Sequence, residues 1–219
     1  DYPGRGTIAT SDMAAAYAWR ERIFVGVPEA AYTPGELEAY VGWYHLPTGE
    51  RMHLADGSEM IMIGTLHLAP RPSPLGVPNP LSVNFGDRIE LVGYELSTLN
   101  PLPGGEVELT LFWRALRPVE HDYIVFAHLI HAATATGQGA SDAMPAQGQA
   151  PTSTWATEQV VTDRHRFIVN PPAPPGLYEL EIGLYLHQPD GSFTRLPIRE
   201  SGGDSLRDFY YLTRLWIAP

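Results

Sequence analysis

The chain has 219 residues, 44% hydrophobic and 18% charged, which is enough apolar material to bury a core and argues against disorder. Its net charge of -11 repels phosphate backbones and argues against nucleic-acid binding. All 14 basic residues are arginine and cysteine is absent, which excludes lysine Schiff bases, phosphate-loop lysines, thiol nucleophiles, disulfides and cysteine-ligated zinc.

Gly 21 and Pro 21 suit a chain of many short strands joined by turns. No run of 18 apolar residues offers a membrane-spanning helix. The first residues, Asp1-Tyr2-Pro3-Gly4, lack the basic and apolar regions of a secretion signal, which reads as a processed chain or a piece of a longer one. Gly4-Arg5-Gly6-Thr7-Ile8-Ala9 fits a loose dinucleotide pattern but has no strand before it. Ser11 could lead a helix over Asp12 to Arg22. An internal repeat argues against that helix.

The repeat is clearest where two strands follow a Pro-Gly turn. Pro34-Gly35-Glu36-Leu37-Glu38-Ala39-Tyr40-Val41-Gly42-Trp43-Tyr44 parallels Pro175-Gly176-Leu177-Tyr178-Glu179-Leu180-Glu181-Ile182-Gly183-Leu184-Tyr185. Upstream, Pro3-x-x-Gly6-x-x-x-Thr10-Ser11 parallels Pro145-x-x-Gly148-x-x-x-Thr152-Ser153. Downstream, the hairpin turn Pro47-Thr48-Gly49 parallels Pro189-Asp190-Gly191, and Arg51-Met52 parallels Arg195-Leu196. Residues 1–70 therefore read as the back half of a unit, 71–78 as a Pro-rich linker, and 79–219 as a complete unit.

Within that unit the strands follow in order. Residues 88–96 alternate, and residues 107–116 place Val107, Leu109, Leu111 and Trp113 on one face. Residues 123–130 are apolar throughout, as in a central strand covered on both faces. Residues 132–151 read as a long loop. Later strands are expected at 160–169, 178–186, 194–198 and 211–217. The fold class is all-β: an antiparallel β-sandwich, immunoglobulin-like or jelly-roll-like, with one complete unit preceded by the back half of a similar one.

Chemistry is sparse. The pairs Glu36/Glu38, Glu106/Glu108 and Glu179/Glu181 have strand spacing and read as solvated faces. Eight histidines show no metal-binding spacing. Asp142 in the long loop and Asp163 are candidate ligand residues. Calcium is the cation such carboxylates would take, although anchoring a turn is the favoured reading and no cofactor is expected. Trp155, at the end of the polar loop, is the tryptophan expected to be exposed for stacking on a sugar. A hydrolase using Asp142 or Asp163 with a histidine has no motif behind it.

Several segments carry a family resemblance. They are Asn84-Phe85-Gly86-Asp87, Leu91-Val92-Gly93-Tyr94-Glu95-Leu96, Leu109-Thr110-Leu111-Phe112-Trp113-Arg114-Ala115, Tyr123-Ile124-Val125-Phe126-Ala127-His128-Leu129, Pro151-Thr152-Ser153-Thr154-Trp155, and Gly176-Leu177-Tyr178 through Gly183-Leu184-Tyr185. Together they resemble the extracytoplasmic C-terminal β-sandwich modules of bacterial membrane proteins related to lipid-linked-sugar glycosyltransferases. His131 departs from that pattern, which has an acidic residue there. The resemblance implies a surface location, tandem copies and no enzymatic role. The expected function is a non-catalytic cell-surface module with a structural or interaction role. Its partners would be neighbouring β-sandwich domains or identical chains meeting at strand edges, as in a filament. The alternative is a carbohydrate-binding module serving a glycan enzyme.

Overall fold

The structure, a computed structural model, describes residues 18, 20, 22–27, 30–45, 47–200, 203–204 and 207–218. The Gly-x-Gly segment at 4–9 and most of the helix candidate at 12–22 lie outside them. Among the described residues thirteen strands follow in order. They are β1 (Gly35–Val41), β2 (Ile61–Leu68), β3 (Val83–Phe85), β4 (Ile89–Leu96), β5 (Glu106–Ala115), β6 (Ile124–His131) and β7 (Gly137–Ala143). Then come β8 (Val160–Ile168), β9 (Gly176–His187), β10 (Phe193–Arg195), β11 (Ile198–Glu200), β12 (Gly203–Asp204) and β13 (Tyr210–Ile217).

The complete unit is a sandwich of two antiparallel sheets. One runs β12-β11-β3-β4-β5-β8. The other runs β10-β9-β6-β7, with β13 beside β10 on the same edge of β9. Alternation decides which side chains fill the space between them. On β5, Val107, Leu109, Leu111 and Trp113 are fully buried, whereas Glu106 and Glu108 are exposed. Against them lie Val125, Ala127 and Leu129 of β6 and Tyr178, Leu180, Ile182 and Leu184 of β9, also fully buried. Phe85 meets Trp113 edge-on with ring centroids 5.8 Å apart.

Three expectations change. Residues 132–151 are not one loop: β7 pairs along β6 from Ile130↔Gly137 to Val125↔Ala143. Its small residues gave no strand signal. The single strand expected at 194–198 is two strands in different sheets, β10 and β11. Pro197 lies between them and has no N–H to continue a ladder, so the chain crosses there. Finally, the outer face of β6 is covered only in part: Phe126 is fully buried, whereas Ile124, His128 and Ile130 are half-buried.

Residues 35–68 form a separate two-stranded ribbon. Its register repeats that of β9 with β13. Gly35↔Leu68 corresponds to Gly176↔Ile217, Leu37↔Leu66 to Tyr178↔Leu215, and Ala39↔Gly64 to Leu180↔Thr213. Both ladders then slip at the same step, leaving Ile63 and Leu212 as the extra residues. The bridge Tyr44↔Arg51 corresponds to Tyr185↔Arg195.

The chain just before the ribbon seals the sandwich. The Tyr94 hydroxyl donates to Ala30 O at 2.6 Å, and Tyr32 donates to Leu96 O at 3.0 Å. Thr33 N donates to Asn79 Oδ1, whose amide donates to Tyr94 O at 3.1 Å. The expected linker also ends in the sandwich: Val77 is buried, and Pro78 O accepts from Tyr94 N at 3.2 Å.

Burial pushes the Tyr94 hydroxyl up to about 12, so it stays a donor at neutral pH. Its contribution is present below the unfolded value of about 10 and is lost as pH rises through the folded one. Tyr94→Phe leaves the Ala30 carbonyl unpaired. It is expected to cost about 1–2 kcal/mol in urea denaturation and to flatten the loss of stability between about pH 10 and pH 12.

Candidate functional site

The outer face of the β10-β9-β6-β7 sheet carries a cluster of polar and aromatic side chains. The ladder brings His128 on β6, Asp142 on β7 and Tyr185 on β9 together. His128 Nε2 lies 2.8 Å from Asp142 Oδ1, and the Tyr185 hydroxyl donates to Asp142 Oδ2 at 3.2 Å. Asp142 is thus a strand residue holding its two neighbours. The sequence expectation placed it in a loop.

Phe126 sits opposite both Asp142 and Gly183 in the ladder. The Arg195 guanidinium lies 4.5 Å from the centre of the Phe126 ring. The same guanidinium is 3.5 Å from Asp208 and 3.8 Å from Glu181. Phe193 is exposed and packs edge-on against Tyr185 at 5.7 Å. Beside this cluster, small residues on β7 leave a depression of about 300 Å³ lined by His128, Ile130, Gly137, Gly139, Ala140 and Asn170. The face thus offers carboxylates, a guanidinium, imidazole and aromatic edges over a shallow surface. This can hold a polar ligand flat, but it does not enclose one.

Burial raises the pKa of Glu181, with Arg195 and then His128 opposing the shift. Burial also raises Tyr185, and the Asp142 charge adds to it. Glu181 is therefore not the freely solvated carboxylate that strand spacing suggested. Glu36, Glu38, Glu106 and Glu108 are exposed, as expected.

Asp163 lies elsewhere, fully buried on β8. Its Oδ1 accepts from Ala146 N at 2.8 Å. Its Oδ2 accepts from Trp113 Nε1 at 3.3 Å and faces His165 Nε2 at 2.8 Å. His165 Nδ1 in turn meets Ser141 Oγ at 3.0 Å. Ser141, His165 and Asp163 are the residue types of a hydrolytic triad. However, Asp163 and His165 are sealed in the protein, and the outer-face depression is lined by none of the three. The chain of bonds instead pins the 3-10 turn Pro145–Gly148, where Ala146 and Gln147 hold left-handed backbone at φ 51° and 56°. That is the turn-anchoring role expected for such an aspartate, reached across 17 residues of sequence.

Trp155 is corrected. It is buried in the core, and its indole N–H donates to Ala150 O at 2.9 Å. The turn before it is held by Thr152, which accepts from Tyr123 N and donates to His121 O. No ring face is left for a sugar. Among the described residues, the exposed tryptophans are Trp43 and Trp216. Among the described residues, no three His, Asp or Glu side chains converge as a metal site, and no helix is long and apolar enough to cross a membrane.

A scan against protein-family models finds no match, and a search of curated proteins finds none either. Among solved structures the chain is similar to the C-terminal domain of Wzt, at 8% identity and a TM-score of 0.39, covering 63% of this chain and 76% of that one. So loose a likeness carries no argument about function, and the expected kinship with glycosyltransferases finds no support in it.

Two outcomes follow from these contacts. Asp163→Ala strands the Ala146 amide, the Trp113 indole and His165 inside the protein, and is expected to destabilise it by about 3 kcal/mol in urea denaturation. Because the Glu181 pKa is raised, its carboxyl favours the folded state most when protonated, and that contribution is lost as pH rises through its folded value. The melting temperature of wild type minus that of Glu181→Gln should therefore fall between acidic and neutral pH.

Proposed function

We propose that the chain is a non-catalytic, extracytoplasmic β-sandwich module that works by surface contact, and that its ribbon is a site of strand addition. The observation that carries this reading is the state of the ribbon. Directly paired residues leave a ladder on the same side, so Leu37, Val41, Ile61 and Leu66 share one face. All four are exposed. Their counterparts Tyr178, Ile182 and Leu215 are fully buried, and Tyr210 is packed against the core. On its other edge β1 pairs with no described strand, which leaves backbone donors and acceptors for strand addition.

The test is the double variant Ile61→Lys, Leu66→Lys. If the face is free for a partner, binding of an apolar fluorescent dye should fall several-fold while sandwich stability changes by less than about 0.5 kcal/mol. A loss of sandwich stability would mean that the face is packed within the chain, and would defeat the reading.

A second reading, glycan binding, is supported by the outer-face cluster. Aromatic edges beside hydrogen-bonded carboxylates suit sugar rings and hydroxyls. On this reading Phe193→Ala weakens binding to a polysaccharide panel in isothermal titration, whereas buried Trp155 has no direct part. Flat titrations across the panel would remove it.

A further inference from the structure

We infer that the ribbon's partner is a second front half of this same repeat, equivalent to residues 77–142, and that it is not an identical copy of this chain. The inference rests on the interaction reading above and names the occupant.

The first ground is the register. β1 and β2 reproduce β9 and β13 through the shared slip and into the hairpin beyond. In the complete unit the remaining edge of β9 is filled by β6, antiparallel, from Ile124↔Tyr185 to His131↔Tyr178. Carried onto the ribbon, those positions are residues 37–44. The inner face of β9 and β13 is covered by the sheet containing β3, β4 and β5, and the corresponding ribbon face is bare.

The second ground is a pair of glycines. A Cβ on Gly183 would lie 3.0 Å from Asp208 O on one side and 2.5 Å from the Phe126 ring on the other. A Cβ on Gly42 would lie 2.7 Å from Glu59 O, and Glu59 holds the place of Asp208 two residues before the second strand. The backbone crowding is therefore repeated. At Gly42 the nearest side chain is the ribbon's own Met60, whose Cγ would lie 3.2 Å from that Cβ, where Gly183 has an aromatic ring from the neighbouring strand. The sites call for a β6-type strand with a large side chain opposite Gly42.

The third ground is a count. The described strands make two back parts, β1–β2 and β8–β13, and one front part, β3–β7, which is already engaged by its own back part. A second copy could offer its front part only by opening its own sandwich, baring Tyr178, Leu180, Ile182 and Leu215 to cover a smaller set on the ribbon. The exchange loses more buried apolar surface than it gains. A second copy of residues 1–219 is therefore a poor occupant.

The test duplicates residues 77–142 ahead of Asp1 in the full chain and reads amide hydrogen exchange at residues 37–44 and 61–68. Tethering supplies the front half at high effective concentration. The expected result is exchange in the ribbon slowed by about 100-fold or more relative to the original chain, with residues 176–182 unchanged. Leu129→Asp placed only in the added copy should cancel the slowing. A synthetic β6 peptide, residues 121–133, added to the original chain gives an independent readout: protection of residues 37–44, which Phe126→Ala in the peptide weakens.

Ribbon exchange unchanged in both experiments overturns the proposal. So does a dimer of the original chain with residues 37–44 protected, which would make a second copy the occupant. Either result leaves the dye experiment standing as the separate test of whether the ribbon is a contact surface at all.

Discussion

The structure closes on β9. Its twelve residues are paired along both edges, by β6 on one side and by β13 then β10 on the other. Its inner face buries Tyr178, Leu180, Ile182 and Leu184 completely. Burying each such side chain contributes about 1.5–3 kcal/mol, but only while the opposite sheet is present to exclude water. Edge pairing and face covering are thus one condition. β1 is the same strand with that condition half met: it has its hairpin partner and lacks the rest.

Much of this was legible in the sequence because the signals were local. Alternation marked β4, β5, β8, β9 and β13 within a residue or two, and the shared Pro-Gly entry exposed the relation between β1 and β9. β7 escaped because Gly137, Gly139 and Ala140 have no intrinsic strand preference; they are a strand because β6 has an edge to fill. The division of residues 193–200 between two sheets is likewise a tertiary fact, with Pro197 as its only mark in the sequence.

The candidate residues fared according to how far they depend on distant partners. Asp163 was legible as a turn anchor, but its turn lies far away in sequence and its carboxylate is shared with Trp113 and His165. Trp155 looked exposed because its neighbours are small and polar, yet those neighbours fold into a turn that tucks the ring inward. Phe126, Tyr185 and Arg195 carry no signal of a site in the sequence. Each sits in an unremarkable strand, and only the ladder sets them side by side.

The contacts of residues 30–33 with Tyr94, Leu96 and Asn79 have a mechanical meaning. They lie across the junction between the ribbon and the complete unit, so the ribbon does not hang from the proline-rich segment alone. Swivelling it requires breaking buried hydrogen bonds and separating the Tyr32 and Tyr94 rings, which stand 5.8 Å apart. A force that separates the ribbon from the sandwich therefore has these contacts to break as well as the linker to extend. A ribbon held in this way turns with the sandwich, whereas one tethered by a flexible linker alone would turn independently.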